Sequence, residues 1–305
     1  MKNGIKYSIL ITTKDRVEDL LFTLSKLDVL LKRDDTECII CNDGSSDDTA
    51  QKITSLFPYI KLITNSKSKG LIYSRNVLLN MANGDYAISL DDDANFLTDN
   101  VFEYIDEFFC KNERCGVIAL RLFWNKEKPI STATKEKTYR VNNFVGCGHV
   151  WRMKAWNDIP NYPDWFIFYG EENFASLQLF KKGWEIHYLP QILVHHRVNL
   201  ISRKGNADYQ LRQRRSIRAG WYLYFMFYPL HVIPRKLSYT FWMQLKNKTF
   251  KGDWKATFGI FQALFDVLIN LPKLIKQSNR LTTKEFLEYS KLRAVKLYWK
   301  PEDEE

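Results

Sequence analysis

The sequence predicts an α/β protein: a mainly parallel sheet covered by helices over residues 1–200, then a mainly helical extension over 201–305. Three observations predict it. Short apolar runs alternate with amphipathic stretches through the first hundred residues, the pattern of parallel strands joined by crossover helices. Polar clusters fall where three of those runs end, and in open sheets of this kind ligands bind at the carboxyl ends of the strands. Beyond Arg197 the chain turns basic and aromatic.

Residues 7–12 form the first apolar run and predict a buried strand. Asp15 and Glu18 then have capping-box spacing for a helix to about residue 31, with Val17, Leu20, Leu21, Leu24 and Leu27 as its apolar positions. A second strand covers 37–42, and Ser45 or Ser46 caps a helix reaching about residue 57. Residues 60–64, 71–82 and 86–90 continue as strand, helix, strand. Farther on, 116–123 predicts a strand, 128–137 a polar loop, and 144–151 a glycine-rich segment. Residues 171–182 predict a helix stopped by Gly183, and 192–195 a strand that ends in histidines. After a boundary near 199–206, helices are predicted over about 207–227, 253–278 and 282–297. The first 200 residues thus read in two parts, about 1–115, where strand and helix alternate, and 116–200, where the pattern is more mixed.

The net charge of +10 is uneven: residues 201–305 carry 20 Lys and Arg against 9 Asp and Glu, which leaves 25 against 26 before them. That asymmetry points to an anionic partner for the last third. The five cysteines lack zinc-ligand spacing; Cys38 and Cys41 form a CxxC, but positions three apart on a strand face opposite ways. They read as reduced core residues of a reducing compartment. No signal peptide is predicted. No window reaches the roughly 20 apolar residues of a membrane span, the nearest, 219–233, being broken by Pro229.

The strongest chemical signal is Asp91-Asp92-Asp93, directly after an apolar strand. Adjacent carboxylates repel, so a fold keeps three together chiefly for a cation or a donor-rich ligand. Oxygen ligands suit Mn²⁺ or Mg²⁺, which bridges protein to diphosphate. The plainer alternative is a solvated loop before a helix. Asn42-Asp43-Gly44-Ser45-Ser46-Asp47-Asp48-Thr49 follows the second strand; its serines can cap a helix while Asp43, at the strand end, is left free for a base or ribose.

These blocks, with Ile9–Thr13, Gly70-Leu71-x-x-Ser74-Arg75-Asn76 and Gly84-Asp85-Tyr86, resemble the successive motifs of the family-2 glycosyltransferases in order and spacing, over roughly residues 5–200. The resemblance implies a Rossmann-like GT-A fold and an inverting transfer from a nucleotide-diphospho-sugar, UDP favoured. It places Thr12, Thr13, Asp43, Arg75, Asp91 and Asp92 on the donor side, with Asp43 accepting from the base; for Arg75 a salt bridge from its helix to a carboxylate is the alternative. Asp93 would be the direct metal ligand, Asp91 a ribose or metal-water contact, and a histidine of the pair His195-His196, His195 first, a further ligand. Gly146-Cys147-Gly148 resembles the acceptor-side loop. Gly170-Glu171-Glu172, with Gly183-Trp184 beyond, resembles the acidic pair that opens a helix: Glu172 maps to the general base and Glu171 to a residue holding an acceptor hydroxyl. Many members carry Asp and Arg where this chain has Phe174 and Gln178, which alters the acceptor side.

In the last third Arg212, Arg214, Arg215 and Arg218 precede an uncharged aromatic stretch, and Trp254, Phe258, Phe261, Leu264, Phe265 and Leu268 fall near helical spacing. Basic residues beside an aromatic face suit peripheral contact with an anionic membrane; core packing is the alternative for any one of them. Expected partners are thus a nucleotide-sugar, a saccharide or lipid-linked acceptor and a membrane, with no nucleic acid. The expected location is cytoplasmic, at the inner face of the membrane, in surface-polysaccharide synthesis. A nucleotidyltransferase would need glycines after the first strand, where Thr12-Thr13-Lys14-Asp15-Arg16 has none. A glycosidase would pair Asp93 with Glu172, and a membrane scaffold would keep the fold without the chemistry.

Overall fold

The computed structural model describes residues 4–198, 205 and 207–296; most of the boundary at 199–206 and the acidic tail lie outside them. The chain begins with β1 (Tyr7–Thr13), α1 (Val17–Leu31), β2 (Thr36–Asn42), α2 (Thr49–Leu56), β3 (Lys61–Thr64), α3 (Leu71–Met81) and β4 (Tyr86–Asp91). β3, β2, β1 and β4 pair in parallel, as the alternation predicts. There follow β5 (Ala94–Phe96), α4 (Val101–Lys111), β6 (Cys115–Trp124), β7 (Tyr139–Val141), β8 (Gly148–Arg152), α5 (Met153–Trp156), α6 (Glu171–Lys181) and β9 (Glu185–His196). Here the sheet becomes mixed. β8 lies antiparallel between β4 and β6, β9 is parallel to β6, and β5 and β7 pair antiparallel with β9.

Both faces of the sheet are covered. Ile9, Ile11, Cys38 and Ile40 pack with α1 and α4 on one side, while Leu10, Ile39 and Cys41 pack on the other. This two-residue alternation within a continuous apolar run is what a strand buried on both faces requires. It also puts Cys38 and Cys41 on opposite faces, as their spacing demands.

Two expected caps do not form. α1 has no side-chain cap from Asp15, whose φ is +51°; instead Asp47 Oδ2 accepts from the Val17 amide at 3.3 Å. Ser45 and Ser46 bond to Asp15, Ser45 Oγ accepting from its amide and Ser46 donating to its carboxylate. The acceptor-rich turn after β2 thus staples the β1–α1 loop rather than capping its own helix. Local spacing cannot reveal this, because the partners are about thirty residues apart.

The last third comprises α7 (Tyr209–Phe227), α8 (Ile233–Asn247), α9 (Trp254–Lys276) and α10 (Thr283–Lys291). The sequence reading misses α8, although Ile233, Leu237 and Phe241 recur every four residues; Ile233 alone is fully buried, while Leu237 and Phe241 are half-buried against the core. Asp253 caps α9, and Thr282 with Glu285 forms a capping box on α10. α7 is core. Trp221, Tyr222 and Phe227 share one apolar cluster with Phe166 and Phe174. After α9 the chain straps back over α7, with the Asn279 and Leu281 amides donating to the Met226 and Phe227 carbonyls at 2.8 and 2.7 Å.

The expectation about membrane spans needs correction: α9, 23 residues long, is long and apolar enough to cross a membrane by length and composition. The charge that masks it in the sequence, Asp266, is buried and paired with Arg214.

Candidate active site

A crevice of about 1060 Å³ opens where β1, β2 and β4 end, and Thr12, Thr13, Asp43, Asp91, Asp92 and Asp93 all line it. The three polar strand ends therefore do converge. A smaller cleft of about 780 Å³, around Asp85, Arg152 and Trp184, lies at the opposite end of β4 and shares no residue with this group.

The acidic cluster is divided by its surroundings. Arg16 reaches over from the start of α1 to Asp92 Oδ1 at 2.8 Å and Asp93 Oδ2 at 2.5 Å. Asp92 also accepts from Thr13 Oγ1 at 2.9 Å. Burial, only partly offset by Arg16, pushes the Asp92 carboxyl up to about 7. Asp93 is equally buried, but His196 and Arg16 overcome that penalty and hold it at about 2. Asp91 remains half-buried and faces the crevice, with Arg75 Nη2 2.9 Å from its Oδ1.

His196, not His195, joins this cluster. Its Nε2 lies 3.0 Å from Asp93 Oδ1 and 3.8 Å from Asp91 Oδ2. His195 turns to the other side of β9, where its Nε2 meets the Asn125 carbonyl at 2.8 Å. The expected preference for His195 is thus reversed, because consecutive residues on a strand point to opposite faces. Burial opposes charge on His196, yet Cys147, Asp93 and Asp91 raise it to about 11.

Asp91, Cys147 and His196 offer ligand atoms within 4.8 Å of one another. His196 Nδ1 is buried without a hydrogen-bond partner, and Asp93 Oδ1 has the His196 ring beside it. Two carboxylates and an imidazole, one ring nitrogen of which is unpartnered, form a donor set that fits a divalent cation such as Mn²⁺, with the Cys147 thiol beside it. Cys147 and His196 come from two segments far from the Asp91–Asp93 run, and Cys147 carries no spacing signal.

Several predicted roles change. Asp43 lines the crevice but is not free: Oδ1 accepts from Asn65 Nδ2 and the Lys69 amide, Oδ2 from Ser68 Oγ and the Gly70 amide, all at 2.7–2.9 Å. It shapes the loop after β3, and those four donors hold its carboxyl below the usual range against the effect of burial. Arg75 is also not a free donor-side cation. It is buried, with Nη1 at 2.7 Å from Glu171 and 3.5 Å from Glu172, while Nη2 holds Asp91. One guanidinium thereby joins the donor-side and acceptor-side carboxylates.

Glu171 does not reach an acceptor. It is 1% exposed, and burial followed by the nearby Glu172 pushes it up to about 8, against the pull of Arg75. Glu172, by contrast, has about a fifth of its side chain accessible. Gly146 makes room for the group: a Cβ there would collide with Glu172 Oε1 and the Arg75 guanidinium. Between the two halves runs the segment 164–170, in which Ile167 and Tyr169 both have φ of +71°. A β-branched residue rarely adopts that conformation, and such strain gathers at functional sites. Ile167 and Phe168 line the crevice.

Cations line the rest of it. Lys14, Lys69, Lys126, Arg197, Arg212 and Arg215 all face the same space. Arg212 and Arg215 belong to α7, and Arg214 and Arg218 pair with Asp266. Two of the four thus face the crevice and two hold the buried Asp266. Phe174 and Gln178, the departures from the family pattern, anchor the helical extension: Phe174 packs edge-on against Phe227, and Gln178 accepts from Asn279 at 2.7 Å.

The model of the family described as Glycosyl transferase family 2 matches residues 8–169, more than half of the chain. No curated protein matches. Among solved structures, the chain is similar to GalNAc-T7 with UDP, GalNAc and Mn²⁺ (TM-score 0.56, 16% identity, 73% of this chain and 50% of that one). It is also similar to the mannosyltransferase PcManGT of Pyrobaculum calidifontis in complex with GDP-Man and Mn²⁺ (0.54, 12%, 71% and 62%). A third is TarS of S. aureus (0.52, 16%, 69% and 38%). The chain spans less than two thirds of each of these proteins, and at such identities the likeness is one of fold. With the strand-end carboxylates, the GT-A architecture and the family match in agreement, this chain belongs to the family-2 glycosyltransferases.

Proposed function

We propose that the chain moves a sugar from a nucleotide-diphospho-sugar, UDP-linked by preference, to a hydroxyl of a saccharide or lipid-linked acceptor, with inversion. Its setting in this reading is surface-polysaccharide synthesis at the cytoplasmic face of a membrane. The observation that carries the reaction is the pairing, in one crevice, of a cation-competent donor set with basic side chains placed for a diphosphate. Asp91, Asp93 and His196 would hold Mn²⁺ or Mg²⁺, which when bound would offset charge on the leaving diphosphate.

Arg197, Arg212 and Arg215 give the phosphates fixed positive charge without reorganisation. Arg75 sets Glu172 relative to Asp91. Glu172 takes the proton from the attacking hydroxyl, and one displacement at the anomeric carbon inverts its configuration.

Incubating the protein with UDP-sugars, Mn²⁺ and a panel of saccharide acceptors, and following the anomeric proton by NMR, tests the reading. Glu172→Gln is expected to lose about 10²–10⁴-fold in turnover while nucleotide binding stays. A product of retained configuration, or a fully active Glu172→Gln, would overturn it.

A further inference from the structure

α9 has two apolar faces, and the protein uses one of them. Ala256, Gly259, Ile260, Ala263 and Val267 are buried, where α9 runs along α7. On the other side Trp254, Phe258, Phe261, Phe265, Leu268 and Ile269 recur every three to four residues, each more than half exposed. Six such side chains on one solvent face go far beyond the scattered apolar residues of an ordinary surface.

α8 extends the patch. Trp242 packs edge-on with Phe250, and Phe241 with Phe261, so the two helices present a joint surface. Between Ala256 and Pro272 the one ionisable residue is Asp266, buried and bound by Arg214. Lysines stand at both ends of that uncharged stretch, Lys251 and Lys255 before it and Lys276 after it, all exposed, while Lys273 lies over the Trp165 ring. Over residues 229–278 there are eight Lys and Arg against two Asp and no Glu. Both aspartates are engaged, Asp253 by Tyr209 and the α9 amide it caps, Asp266 by Arg214.

We infer that this face of α8 and α9 docks on an anionic lipid surface, with α9 lying in the plane of the interface. Aromatic side chains suit that boundary, and the flanking lysines meet the lipid phosphates. A spanning position for α9 would strip it from α7, leaving Arg214 and Asp266 without each other and the buried aromatics of α7 uncovered. A second copy of the chain is the weaker occupant, because it would bring an equally basic rim against this one. The inference stands apart from the catalytic reading, since none of these residues lines the crevice.

The test floats the full chain on vesicles of phosphatidylcholine alone and of phosphatidylcholine mixed with phosphatidylglycerol. The parent is expected to bind the mixed vesicles at least about tenfold better. Phe258→Gln with Phe265→Gln should abolish flotation, and Lys251→Glu with Lys255→Glu should remove the preference for phosphatidylglycerol. All these side chains are exposed, and a melting curve matching the parent's confirms that the variants fold. No flotation of the parent, or variants that float as it does, overturns the inference. A concentration-dependent dimer that the Phe258→Gln, Phe265→Gln pair dissolves, without lipid binding, assigns the face to self-association and overturns it too. A failure to bind nucleotide with flotation intact would sink the catalytic reading alone.

Discussion

Four donors converge on the Asp43 carboxylate, two of them backbone amides of the loop that follows β3. Hydrogen bonds to a charged acceptor contribute about 1.5–3 kcal/mol each when one partner is removed, so Asp43→Asn, which turns an amide group toward a donor, should cost about 2–3 kcal/mol. The sign of its pH dependence follows from the direction of its shift. A carboxyl held lower in the folded state stabilises fully above its unfolded value, about 3.9, and loses that contribution as pH falls through the folded value. Denaturation curves should therefore separate Asp43→Asn from the parent at neutral pH and begin to converge only as pH falls below about 4. A constant gap down to low pH would show that packing, not charge, sets the cost. The position of Asp43 was legible from its place after a strand. Its engagement was not, because Asn65, Ser68, Lys69 and Gly70 are more than twenty residues away.

At the scale of elements, β9 and the loop before β8 complete what β4 begins. Strand parity puts His196 among the carboxylates and His195 against the Asn125 carbonyl. The sequence supplies the pair but not the point where the strand starts, and so not the parity. The loop brings in Cys147 and, at Gly146, the gap that Arg75 and Glu172 occupy. Gly146→Ala should displace Glu172 from Arg75, since Arg75 is pinned by Asp91 and Glu171 and cannot yield. A shift of about 1 Å in a catalytic group costs about 10²-fold, and that loss should appear in turnover, with nucleotide affinity little changed. Steady-state kinetics beside calorimetry would check it; a loss confined to affinity would contradict the placement of Glu172. The strands and helices up to β4 were legible because each is a complete apolar period bounded by polar turns. The antiparallel insertion of β8 was not, as nothing local states which neighbour a strand chooses.

For the whole molecule, the helical extension shares an apolar core with the sheet region. Trp221, Tyr222 and Phe227 pack in one cluster with Phe166 and Phe174, and Gln178 holds the strap at Asn279. Removing residues 207–305 would expose that cluster, and truncating a single buried Phe or Trp already costs about 3–5 kcal/mol. The truncated chain should fail to fold, and the full chain should melt in one transition by both near- and far-ultraviolet circular dichroism. Two separated transitions would mean that the extension is an independent domain. α7 also carries Arg212 and Arg215 into the crevice, so fold and site share this dependence.

The central claim is that the crevice binds a nucleotide through a divalent ion held on the face of β9 that carries His196. Titration calorimetry of UDP, GDP and dTDP with Mn²⁺, on the parent, His196→Ala and His195→Ala, tests it most directly. The account predicts that one nucleotide binds with Mn²⁺, that EDTA abolishes this binding, and that His196→Ala loses it while His195→Ala keeps it. Metal-independent binding, no binding of any nucleotide, or an equal loss in the two histidine variants would contradict the account.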